Sequence, residues 1–122
     1  RDNQICMVTS RSGKRWVIPK GRIEVRQTPI EAAYVEAWEE AGLLGTIQSQ
    51  PLGTYNYTKD NQQYSVIVYV LDVASIRDQW PERNTRTREW LDFQEAIARI
   101  DEPGLQSLVL QYAEQLVPQL TS

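Results

Sequence analysis

Apolar residues recur along this chain with two different periods, and the change from one to the other divides it into elements. Residues 4–10, QICMVTS, read as a strand, and residues 15–18 as its continuation or partner across a Ser12-Gly13-Lys14 turn. From Ile30 the period lengthens: Ile30, Ala33, Tyr34, Ala37 and Ala41 form one stripe of a helix. Thr28 is suited to cap that helix, Pro29 to open it, and Gly42 to end it. Segments 46–50, 52–58 and 64–73 follow. The last contains VIVYVLDV, apolar almost throughout, which predicts a strand buried on both faces. Lys59-Asp60-Asn61 before it reads as a hairpin turn. Residues 76–87 form a polar loop and 88–91 a short strand, and 93–100 and 104–117 are helices. Leu105, Leu108, Val109, Tyr112 and Leu116 give the last helix a packing face. The coarse order is β-β-α-β-β-β-α-α, without repeats, linkers or low complexity.

On the helix after Thr28, Glu36, Glu39 and Glu40 stand at i, i+3 and i+4, which places them on a common arc of about 100°. No Lys or Arg lies four residues away, and their neighbours Val35 and Trp38 are apolar. Like charges so close either face water or share a hard divalent cation. Mg²⁺ takes oxygen ligands and keeps waters for a phosphate substrate.

Composition narrows the chemistry. With 122 residues the chain makes one domain, and 41% hydrophobic and 24% charged residues suit a soluble one. No run approaches the ~18 apolar residues that a membrane helix needs. The net charge of −3 argues against duplex nucleic acid as the partner. The absence of histidine removes Ser-His-Asp hydrolysis, His-ligated zinc and histidine-based phosphate transfer. One cysteine rules out a disulfide scaffold and suits a reducing cytoplasm. Cys6 to Arg11 spells C-x4-R, one residue short of a phosphatase loop, and Ile5, Met7 and Val8 around it make Cys6 a core residue. There is no signal peptide pattern, and the abrupt opening at Arg1-Asp2 suggests that the true N-terminus is missing.

Residues 21–43, GRIEVRQTPIEAAYVEAWEEAGL, resemble the Nudix box, G-x5-E-x7-R-E-U-x-E-E-x-G-U, where U is a bulky aliphatic residue. Gly21, Glu36, Glu39, Glu40, Gly42 and Leu43 match. Gln27 stands for the first Glu, Val35 for the Arg and Ala37 for the aliphatic residue. The segments RWVIPKG at 15–21 and REWL at 88–91 extend the likeness to the branch that cleaves diadenosine and diphosphoinositol polyphosphates. The resemblance implies an α/β fold, an α/β/α sandwich with a mixed sheet. It also implies a Nudix pyrophosphohydrolase: metal-dependent hydrolysis of a nucleoside diphosphate linked to another group, preferably a dinucleoside polyphosphate. A catalytically weak sensor using the same cleft, or an enzyme acting on inositol pyrophosphates or RNA 5′ ends, are the alternatives. Residues 61–64, Asn-Gln-Gln-Tyr, lack the basic side chains that inositol-specific members carry there, which weakens that alternative.

By the same resemblance Glu36, Glu39 and Glu40 are the catalytic residues. Together with the Gly21 carbonyl they hold Mg²⁺ or Mn²⁺, and Glu24 is an auxiliary carboxylate. Arg11, Arg15, Lys20, Arg22, Arg86 and Arg88 are the candidate contacts to a phosphorylated small-molecule substrate. Arg11 corresponds to a phosphate contact of the branch, Lys20 and Arg22 flank Gly21, and Arg83, Arg86 and Arg88 concentrate phosphate-matching forks in one loop. Trp80 in that loop reads as a core wedge or a stacking surface for a base. Gln27 and Val35 remove both halves of the pair that braces loop against helix in the family.

Overall fold

In strand β1 (Gln4–Thr9) successive side chains enter different cores. Met7 joins Tyr55, Val68, Leu91, Ala96, Ile100, Leu105 and Val109, whereas Cys6 and Val8 join Ala37, Ala41 and Leu43. A strand with two buried faces needs cover on both sides, and helices supply it. The computed structural model describes residues 4–21, 23 and 26–121, with 117–121 as backbone alone.

Sheet order places β1 between β2 (Trp16–Val17) and β7 (Arg88–Asp92), both antiparallel to it. In β7 the alternation recurs, Leu91 facing the first core and Trp90 the second. Helix α1 (Pro29–Ala41) packs against β1 and against β3 (Leu43–Ile47). On the other side α2 (Phe93–Arg99) covers β1 and β7, and α3 (Pro103–Thr121) packs on α2 and on β4 (Gly53–Lys59). The α/β layering expected from the sequence is therefore present. All ladders among the described residues are antiparallel, so the parallel pairing of a mixed sheet is not seen among them.

The apolar run 66–73 is not one doubly buried strand. It divides into β5 (Gln62–Val68), paired with β4, and β6 (Leu71–Ile76), paired with β3. Val66 and Val68 serve the first core, Leu71 and Val73 the second, and Ile67 stays 38% exposed. The run is apolar along its length because it feeds two cores in succession, and five strands follow α1 among the described residues where four segments (46–50, 52–58, 64–73 and 88–91) were read. The β4–β5 turn is as read: Lys59 pairs with Gln62, and Asp60 and Asn61 both take positive φ (53° and 63°), as a two-residue hairpin of this hand requires.

Helix α1 begins as its sequence dictates. The Thr28 hydroxyl accepts from the Glu31 amide and the Glu31 carboxylate from the Thr28 amide, both at 3.1 Å, a complete capping box with Pro29 following. Gly42 ends it in the left-handed conformation at φ 66°.

Candidate active site

The second half of α1 turns two carboxylates toward the protein. Glu36 and Glu40, one helical turn apart, meet through a side-chain hydrogen bond. Glu40 is 3% exposed, the one buried charged residue among those described. Gly21, in the loop before α1, lies directly against the Glu36 carboxylate. A Cβ there would collide with the Glu36 side chain, so a larger residue would push that carboxylate out of its place.

A buried carboxylate beside another needs compensation. For Glu40 it comes from far along the chain, not from the helix. The Lys20 amide donates to Oε2 at 3.2 Å, and Arg86 Nη2 lies 3.3 Å from Oε1. Burial and the hydrogen bond with Glu36 still push the Glu40 carboxyl up to about 8. Arg86 pulls it down, and the charges of Glu36 and Glu82 push it further up.

Among the described residues no group of three acidic side chains converges as a ready-made metal cage. What converges is the Glu36–Glu40 pair, with the Gly21 backbone against it. A donor set of two hard oxygens fits Mg²⁺ or Mn²⁺, which binds through one or two carboxylates plus waters and substrate phosphates. Glu39 is half-buried, and its peptide carbonyl accepts from the Glu82 amide at 3.0 Å.

The basic residues divide. Arg11 is exposed at the β1–β2 turn. Arg15, also exposed, stands 3.8 Å from Asp101. Lys20 lies with its Nζ 3.7 Å from Glu102 and 4.5 Å above the Tyr57 ring, which stacks on Tyr64 at 5.1 Å. Arg22 and Glu24 fall outside the described residues.

Arg86 and Arg88 were expected to face phosphate, and the structure places them otherwise. The Arg86 side chain is 8% exposed and holds Glu40, Glu82 Oε1 (2.9 Å) and the Thr9 carbonyl (2.9 Å). Arg88 donates to the Ala41 and Arg77 carbonyls, both at 2.8 Å, and stacks over Trp80 at 4.3 Å. Trp80 is neither a simple wedge nor an open stacking surface, because its Nε1 donates to the Glu40 carbonyl at 3.0 Å.

Three contributors escaped the sequence reading: the Lys20 amide, Glu82 and Trp80 Nε1. Nothing local in the sequence marks them, since each meets α1 across 20 residues or more. The one available signal was the lack of any cation near three glutamates, which demands a remote partner.

Comparison with known proteins follows the same outline. The family model for the NUDIX domain matches residues 1–111. "Nudix hydrolase 16, mitochondrial" of Arabidopsis thaliana is 34% identical over 116 residues, covering 88% of this chain and 64% of that protein. "Diphosphoinositol polyphosphate phosphohydrolase 3-beta" of Bos taurus is 34% identical over 100 residues, 80% of this chain and 60% of the relative. The chain thus spans less than two thirds of either relative's length. Among solved structures, the crystal structure of C. elegans Ap4A hydrolase superposes with a TM-score of 0.70 at 18% identity, covering 93% of this chain and 86% of that one.

Proposed function

The chain belongs to the NUDIX domain family, and from that premise we propose that it hydrolyses a nucleoside diphosphate linked to a further group, with a dinucleoside polyphosphate as preferred substrate. The observation that carries this reading is the pairing of half-buried Glu36 with buried Glu40, packed on Gly21 and held by the Lys20 amide. Glu36 and Glu40 would hold Mg²⁺ or Mn²⁺ with the Gly21 carbonyl. The ion, when bound, supplies charge neutralisation for the phosphates and activation of a water. Glu39, on the same turn of α1, is the further ligand or the group that orients and deprotonates that water.

The protein's own residues do the rest. Arg11 and Arg15 are the exposed guanidiniums beside the loop that leads to Gly21, and they are the contacts we propose for the phosphate chain. The Lys20 ammonium lies between the Glu102 carboxylate and the Tyr57 ring. It can trade the former for phosphate while its amide keeps Glu40 in place. The stacked pair Tyr57–Tyr64 next to Lys20 offers apolar ring faces that suit a base. Together with the neutral residues 61–63, it favours a nucleotide over an inositol pyrophosphate. The relatives' names include both an Ap4A hydrolase and a diphosphoinositol polyphosphate phosphohydrolase, so both belong in the assay.

None of the described helices is long and apolar enough to cross a membrane. The single, buried Cys6, whose thiol burial pushes up to about 12, favours a reducing compartment such as the cytoplasm.

Phosphate release from a panel of dinucleoside polyphosphates, nucleotide sugars, inositol pyrophosphates and 5′-pyrophosphorylated RNA tests the proposal. Turnover is expected with Mg²⁺ or Mn²⁺, greatest on a dinucleoside polyphosphate and abolished by EDTA. Full turnover in excess EDTA would sink the mechanism. Tight binding of the panel without any turnover would make the chain a sensor.

A further inference from the structure

Arg86 sits where three parts of the fold meet. Its guanidinium reaches Glu40 of α1, Glu82 of its own loop and the carbonyl of Thr9 at the end of β1. With 8% of the side chain exposed, little of the fork is open to a phosphate in solvent. We propose that Arg86 is a positioning residue, which fixes the Glu40 carboxylate for cation binding in a chain whose Gln27 and Val35 can form no ion pair between loop and helix. The proposal rests on the reading of Glu36 and Glu40 as the metal pair.

The argument is geometric. Arg86 takes one oxygen of Glu40 and the Lys20 amide the other, so the carboxylate has one orientation before any cation arrives. Holding a ligand in its working geometry in advance is what a metal site needs from its surroundings. The place of Arg86 is itself fixed by backbone: the Glu82 amide donates to the Glu39 carbonyl, and the Arg86 amide to the Glu82 carbonyl at 3.1 Å. The charge is as needed as the geometry. Arg86 stands between the carboxylates of Glu40 and Glu82, and without it Glu40 would be buried beside Glu36 with the Lys20 amide as its remaining donor. Lysine is a poor substitute, because a single ammonium cannot span Glu40, Glu82 and the Thr9 carbonyl in the fixed plane of the fork.

The test compares the full chain with its Arg86→Met and Arg86→Lys variants in three measurements: calorimetric titration with Mn²⁺ alone, kcat and KM on one dinucleoside polyphosphate, and thermal melting. A positioning role predicts that Arg86→Met binds Mn²⁺ about tenfold more weakly or worse and loses kcat with KM nearly unchanged, with Arg86→Lys intermediate in both. A raised KM with Mn²⁺ affinity intact would make Arg86 a phosphate contact and overturn the proposal. A lowered melting temperature with affinity and kcat both intact would leave it a purely structural residue, and would also overturn it. Should Arg86→Met fail to fold, Arg86→Lys decides: parental Mn²⁺ affinity and kcat in that variant refute the need for a fork. Glu40→Gln separates the two levels of inference. If that chain binds Mn²⁺ and turns over normally, the metal-pair reading itself is what fails.

Discussion

At Glu40 a backbone amide and a buried guanidinium donate to one carboxyl, while the neighbouring Glu36 carboxylate favours its protonated form. The two donors are partial answers to the cost of placing charge where 3% of the residue meets water. Removing the charge without changing the shape should therefore strike function harder than fold. Glu40→Gln and Glu36→Gln are each expected to lower turnover by about 10²-fold or more, the size seen when a charge-stabilising group is lost. Glu31→Gln is the control on the same helix. Its side chain accepts from the Thr28 amide, a role that glutamine also fills, so turnover should stay near that of the parent. Steady-state kinetics of the three variants decides, and a Glu31→Gln chain as impaired as Glu40→Gln would mean that α1 presents a different face to the substrate.

At the scale of the element, the two ends of α1 differ in how they could be read. The N-terminus was legible because Thr28, Pro29 and Glu31 sit within one turn of each other and satisfy one another. The C-terminus was legible only as Gly42. Its orphan carbonyls are met in succession by the Gly42 amide for Trp38, the Glu82 amide for Glu39, Trp80 Nε1 for Glu40 and Arg88 Nη1 for Ala41. Three of those four donors come from the 77–87 loop and the first residue of β7. That segment reads in sequence as polar and phosphate-seeking, because arginines that bind carbonyls and arginines that bind phosphate look alike. The loop contributes also to the dipole, since α1 has no basic residue of its own in its last turn and Arg88 supplies one. Trp80→Phe keeps the ring and deletes the donor. It should leave the Glu40 carbonyl short of a partner and lower unfolding stability by about 1–3 kcal/mol, read as a lower midpoint in urea with unchanged slope. An unaltered midpoint would show that water replaces the indole there, and that the clasp on α1 rests on Arg88 and Glu82 alone.

Across the whole molecule, the pair Glu36–Glu40 lies in the helix that closes the second core, so its ionisation bears on folding as well as chemistry. The sign follows from the shift. The Glu40 carboxyl ordinarily titrates at 4.5 and is raised to about 8 in the fold, chiefly by burial. Between those values the folded chain keeps a proton that the unfolded chain has released. Stability must therefore fall as pH rises through that window, and level off above about 8. A divalent cation held by the ionised pair, as proposed, would reverse the trend, stabilising the folded chain by mass action increasingly as the proton leaves. The expected result is a metal-free melting temperature that declines between pH 5 and pH 8, and a Mn²⁺-induced gain that grows over the same range. Glu40→Gln serves as the internal reference, since every other titrating group is shared. It should lose most of the pH-dependent part of the gain and show a shallower metal-free decline. If parent and variant follow parallel curves with and without Mn²⁺, Glu40 is not where proton and cation exchange, and its ionisation does not bear on folding.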